Sequence, residues 1–238
     1  MTTESTRRTM MGATTLAAAA VAATVLPKIA NAQTTPAVPK VEYTPKKLPF
    51  DPAKVKGFSE KLLVSHYENN YTGAVKRLTA ITAQLAALDI AAAPVFVVNG
   101  LKREQLIAMN SMIIHELYFD GLAGEGDPTG ALAEAINRDF GSLARWKAEF
   151  SATGKAIGGG SGWVLLSWSP RDKRLVNSWA ADHTMTVAGG RPILALDMYE
   201  HAYQMDHGAK AAEYVDVFMQ GIRWSNAQGL FERYSKET

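Results

Sequence analysis

In the stretch ILALDMYEHAYQMDHG, residues 193–208, Asp197 stands four residues before His201, Glu200 abuts the histidine, and an apolar run leads in. A carboxylate and an imidazole so placed are of metal-ligand type and spacing. Taken alone, the same residues also read as an ordinary apolar strand running into a polar loop. The chain has five histidines, His66, His115, His183, His201 and His207, and two of them, His66 and His115, fall in the middle of long helical patterns. There is no cysteine, which excludes a disulfide framework, thiolate ligands and a cysteine nucleophile, so a metal would be held by His, Asp or Glu. If the two helical histidines face each other across an antiparallel pair and meet Asp197 and His201, the result is three imidazoles and one carboxylate. That set suits iron, manganese or zinc better than calcium or magnesium.

The elements that must position these residues can be read from pattern. Residues 1–32 carry paired Arg7 and Arg8, an uncharged small-residue run and an Ala30-Asn31-Ala32 ending, the form of a twin-arginine export signal cleaved after Ala32. The uncharged run from Gly12 to Leu26 falls short of the ~20 residues a spanning helix needs. An exported, periplasmic protein with no stable membrane anchor after cleavage is therefore expected. The 25 basic residues less Arg7, Arg8 and Lys28, against 23 acidic less Glu4, leave 22 of each. A neutral mature chain excludes the basic balance that marks nucleic-acid binding.

Residues 33–57 hold five prolines and read as an extended arm that packs through Leu48, Pro49 and Phe50. Residues 58–125 read as a helical hairpin: one long helix capped by Ser59, a loop through Pro94 and Gly100, and a second long helix over REQLIAMNSMIIHELYFDGL. Residues 126–238 read as an α+β domain, with two short helices, the second following Gly141, a β-hairpin about Pro170-Arg171-Asp172-Lys173, a third strand over PILALDMY and closing helices. The whole is an α+β fold, an N-terminal antiparallel helical hairpin followed by a three-stranded antiparallel sheet covered by helices.

LDMYEHAYQMD resembles the D-x-W-E-H-A-Y signature of the iron/manganese superoxide dismutases. The likeness runs along nearly the whole mature chain, through KLPF, SHYENNY, IIHELYFDGL, GDPTGALAEAI, FGSLARWKAEF and GGGSGWVLL in that order. The resemblance implies that His66, His115, Asp197 and His201 hold one iron or manganese ion per subunit, with a solvent molecule as fifth ligand. It implies dismutation of superoxide: one superoxide gives up its electron and leaves as oxygen, and a second takes an electron and two protons and leaves as hydrogen peroxide. It implies a homodimer in which Glu200 reaches the partner's ligand histidine, and it makes Trp163 a wall of the site.

Several family positions differ here, and they cluster around substrate access. The family's tyrosine eight residues after the first ligand is Ala74, its histidine four after that ligand is Asn70, and its interface tyrosine is Gln204; the last two normally bond to each other across the dimer. Asn69 and Ala211 stand where entrance cations are usual, with Lys210 beside the second, so electrostatic steering of superoxide should be weaker. Ser111 replaces a solvent-bonding glutamine and is too short for that reach. His183 is placed to take over that contact, Tyr71 to offer a phenol from another turn, and His207 is read as a surface residue. Two rivals stay open at this point: a non-catalytic homologue that keeps the metal, and a different redox reaction at the same ion.

Overall fold

A computed structural model describes Pro39 and residues 41–237; the expected signal, residues 1–32, lies outside them. From Val41 the arm runs without regular structure to a 3-10 turn at Pro52–Lys54, where Asp51 caps the Ala53 N–H. Side chains of the first long helix strap it down. Thr79 accepts from the Tyr43 N–H, Tyr71 accepts from the Lys46 N–H at 2.7 Å, and Tyr67 donates to the Lys46 carbonyl at 2.9 Å. Leu48 and Phe50 rest half-buried on the core.

Ser59 starts the first long helix as expected, its Oγ accepting the Leu62 N–H at 3.1 Å. That helix is not uniform. It runs as α1 (Glu60–Ser65), a π-helical turn at His66–Tyr71, and α2 (Thr72–Ala87). The Thr72 N–H reaches back five residues to the Tyr67 carbonyl, which inserts one residue into the ladder and rotates α1 relative to α2. His66 opens this wide turn. The antiparallel partner, α3 (Val95–Asp120), begins eight residues before the expected Arg103 and takes Gly100 into its interior. Pro94 sits at the helix entrance with φ −56°, and its carbonyl accepts from Val97, so the start is set there. An interior glycine costs only ~1 kcal/mol and does not break a 26-residue helix.

The second half follows its pattern closely. α4 (Gly130–Phe140) ends at Gly141 with φ 87°, the left-handed cap that glycine tolerates best. α5 (Leu143–Ile157) starts from Ser142, whose Oγ accepts the Arg145 N–H at 3.1 Å. β1 (Trp163–Ser169), β2 (Arg174–Ala180) and β3 (Arg191–Asp197) form an antiparallel sheet in the order β2-β1-β3. β1 is buried at every position, as a central strand covered on both faces must be. Its Trp163 pairs with Asp197, which places the indole beside the carboxylate that ends β3. A 3-10 turn (Glu200–Ala202), the short α6 (Gln204–His207), α7 (Ala211–Gln220) and α8 (Trp224–Tyr234) close the chain. One continuous core joins Leu62, Tyr118, Trp146, Leu166, Leu194 and Phe218, so the hairpin and the sheet share their burial. The fold is α+β. Among the described residues no helix is long and apolar enough to cross a membrane.

Candidate metal centre

Four separate elements deliver the four side chains. His66 comes from the π turn, His115 from α3, Asp197 from the last position of β3 and His201 from the 3-10 turn beyond it. One ligand-type atom from each lies within 4.8 Å of all the others. Asp197 Oδ2 is the hub, 3.1 Å from His66 Nε2, 3.3 Å from His201 Nε2 and 3.6 Å from His115 Nε2. Its other oxygen accepts the Tyr199 N–H at 2.8 Å, which fixes the rotation of the carboxylate.

The donor set has the chemistry of a cation site. His66, His115 and Asp197 are buried, and no well-formed hydrogen bond reaches either ring nitrogen of His66 or Nε2 of His115. Buried polar atoms are normally satisfied, so unpartnered imidazole nitrogens around one carboxylate fit a metal ion. His115 is also set in the right tautomer, because its Nδ1–H donates to the Ser111 carbonyl at 2.7 Å and leaves the Nε2 lone pair free. Burial, with the neighbouring His66, lowers the His115 pKa to about 3, and burial lowers that of His66 too. At Asp197 burial alone would raise the pKa, but His201 and His66 outweigh it and hold the carboxyl well below its ordinary range. His66 and His115 are thus held neutral beside an ionised carboxylate, the protonation state in which these three can ligate.

Aromatic rings close the site. Trp163 lies 5.1 Å from the His115 ring, nearly perpendicular to it. His183 is brought in from the loop after β2: its Nδ1 accepts the Trp163 indole N–H at 3.0 Å, and its ring is 5.9 Å from that of His115. With Nδ1 accepting, the proton of the neutral ring sits on Nε2. Burial lowers the His183 pKa. Asn110 on α3 holds this loop through the His183 carbonyl at 2.5 Å. Tyr71 is not brought to the four. Its hydroxyl donates to Glu116 at 3.0 Å and accepts from Lys46, so the phenol is spent on holding the arm.

The remaining candidates lie at the surface or have changed role. Glu200 and Gln204 are exposed and Asn70 is partly so. Asn69 folds back to donate to the Ser65 carbonyl, Lys210 pairs with Glu213 at 3.0 Å, and Ala74 and Ala211 are buried. His207, expected at the surface, is half-buried with its ring 6.0 Å from Tyr214, because α6 folds against α7. Two contributors escaped sequence reasoning. Tyr199 stacks between His183 (4.9 Å) and His201 (5.3 Å), and Phe119 lies 5.0 Å from His66. Tyr199 could have been found inside the motif itself, at the position where the signature has tryptophan, and Phe119 from its place one turn after His115.

Comparison with known proteins agrees with this geometry. Residues 128–229 match the model for the iron/manganese superoxide dismutases, C-terminal domain. A "Superoxide dismutase [Fe]" of Cupriavidus metallidurans is 68% identical over 189 residues, 79% of this chain and 96% of that protein. A "Superoxide dismutase [Mn] 2" of Haloferax volcanii is 33% identical over 178 residues, 74% of this chain and 87% of that protein. A "Superoxide dismutase [Fe]" of Aquifex aeolicus is 32% identical over 193 residues, 78% of this chain and 89% of that protein.

Proposed function

This chain belongs to the iron/manganese superoxide dismutases, and from that premise we propose how its own residues serve the reaction and which metal they hold. It is an enzyme that dismutes superoxide to oxygen and hydrogen peroxide, with one metal ion per subunit. The observation that carries this reading is the convergence of His66, His115 and His201 on one buried oxygen of Asp197, with unpartnered nitrogens on His66 and His115. We take the metal to be iron, supported by the name of the 68% identical relative. When bound, the ion supplies one-electron chemistry, cycling between trivalent and divalent states.

The chain's own work is to hold protons and exclude water. Ser111 keeps the His115 proton on Nδ1, and Tyr199 holds Asp197 by its free oxygen. His183, its Nδ1 engaged by Trp163, keeps a proton on Nε2 and stands in for the solvent-bonding glutamine that Ser111 replaces. The rings of Trp163, Phe119 and Tyr199 wall the site and lower its dielectric. With Asn69 and Ala211 in place of the usual cations and Lys210 paired, substrate entry has less electrostatic help.

The same reading includes a homodimer bridged by Glu200, Asn70 and Gln204, in keeping with their exposure on the single chain, and export to the periplasm through Arg7 and Arg8. The decisive experiment follows superoxide decay by stopped-flow after loading with iron or manganese, alongside metal analysis of protein from its native host. Catalysed decay with iron bound is expected. Decay no faster than free metal would overturn the enzymatic reading in favour of a non-catalytic metal-binding homologue, and manganese in the native protein would overturn the choice of metal.

A further inference from the structure

Behind the metal centre two phenols meet where neither touches solvent. Tyr214 on α7 donates to the Asp197 main-chain carbonyl at 2.6 Å, and its oxygen lies 3.3 Å from the hydroxyl of Tyr118 on α3. Both side chains are fully buried. A phenol has one proton, and at Tyr214 the shorter contact takes it, so Tyr118 supplies the proton of the longer one. The order is Tyr118 O–H to Tyr214 O–H to the Asp197 carbonyl.

We propose that this two-hydroxyl chain positions the metal-bearing carboxylate, with Tyr214 and Tyr118 as positioning residues for the centre. Three observations support it. Asp197, the last residue of β3, faces Trp163 where the ladder bond is made by the next residue, Met198 N–H to the Gly162 carbonyl, so the buried Asp197 carbonyl has no strand partner and takes its bond from Tyr214. Tyr118 comes three residues after His115 on the same helix face, and its ring lies 5.1 Å from the His66 ring. The chain of hydroxyls therefore spans the hairpin that carries two ligands and the strand that carries a third. Finally, the rings are held independently of their hydroxyls, since Tyr118 stacks on Phe218 at 6.0 Å and Tyr203 on Tyr214 at 5.2 Å. Removing a hydroxyl leaves the packing in place.

The inference rests on the four-residue centre, and its test separates the two. Metal affinity is measured by chelator competition on the iron-loaded protein, with the electron paramagnetic resonance signature of the ferric form, and the unfolding midpoint is measured on the same samples after metal removal. Tyr214→Phe should weaken iron binding by about 10–100-fold and shift the signature, the usual scale for a group that orients a ligand. Tyr118→Phe should shift the signature less, and add nothing in the Tyr214→Phe background, because the chain is already broken there. Phe231→Leu, which disturbs the core packing against Trp168 and touches neither phenol, should lower the midpoint with affinity and signature unchanged. Should Tyr214→Phe fail to fold, Tyr118→Phe decides alone, a shifted signature supporting the proposal and an unshifted one overturning it. A folded Tyr214→Phe with wild-type affinity and signature would overturn it even if the midpoint fell. Full additivity of the two variants would also do so. Wild-type protein that binds no iron would sink the centre and the inference together.

Discussion

Acidifying the metal-free protein should destabilise it, and the amount can be worked from His115. That residue is 1% exposed, and burial, with His66 beside it, takes its pKa from 6.5 to about 3. Once unfolded, the imidazole takes up a proton below about pH 6.5, whereas in the folded chain it stays neutral down to about pH 3. Between these limits unfolding is coupled to proton uptake, so stability is full above pH 6.5 and falls as the pH falls. From pH 7 to pH 5 the coupling acts over roughly 1.5 units at about 1.4 kcal/mol each, a loss of about 2 kcal/mol from His115 alone. His66 adds to it in the same direction, also through burial. Asp197 adds nothing in this window, because its depressed carboxyl is ionised throughout and its contribution is lost only below the ordinary carboxylate range. Urea unfolding of chelator-treated protein at pH 7, 6 and 5 measures the loss, and His115→Gln should remove about 2 kcal/mol of it. Equal stability of the metal-free protein at pH 7 and pH 5, or a His115→Gln variant that keeps the whole slope, would refute the reasoning.

Alanine at His66, His115, Asp197 or His201 should each abolish stoichiometric metal binding, and a variant that keeps its metal by elemental analysis would remove that residue from the centre. His183→Ala should keep the metal but slow superoxide decay or shift its pH profile; unchanged kinetics would mean the proton comes from elsewhere. Tyr71→Phe, by contrast, should leave the decay rate intact and cost stability, since its hydroxyl serves Glu116 and Lys46. Ser59→Ala removes the cap on Leu62 and the hydroxyl bond to Asp206 and should cost about 1 kcal/mol in urea unfolding; no change would show the helix start is held otherwise, for instance by the Ser59 N–H that still donates to Asp206. Lysines in place of Arg7 and Arg8 should leave precursor in the cytoplasm on fractionation, and unchanged export would discard the twin-arginine assignment.

Much of the centre was legible because its parts announce themselves locally. Asp197 and His201 share one motif, His66 and His115 sit at helical spacing on two long helices, and the absence of cysteine narrows the ligand types. The helix start at Ser59 and the stop at Gly141 were readable from capping chemistry, which depends on residues within a turn of one another. Three local features misled. Gly100 and Pro94 together suggest a loop, yet only Pro94 lies at a boundary. The π turn at His66–Tyr71 leaves no mark on apolar periodicity, because a single inserted residue is within the tolerance of a helical pattern. Tyr71 looked like a free phenol until the arm crossed it.

Apart from the altered access positions Ala74, Asn70 and Gln204, which only the family resemblance reveals, what the sequence determined on its own is the inventory: an α+β order of elements, and three imidazoles and a carboxylate of ligand type. These come from side-chain chemistry and short-range periodicity, which need no knowledge of what the chain folds against. Only the tertiary structure decided which nitrogens face Asp197 Oδ2, that Ser111 sets the His115 tautomer through its carbonyl, that Trp163 turns His183 toward the centre, and that Tyr214 reaches back from α7 to the end of β3. Each of these joins residues whose separation along the chain carries no information about their separation in space. The exception is Ser111, four residues from His115, where the helix had already placed carbonyl and ring together but only burial made the bond matter.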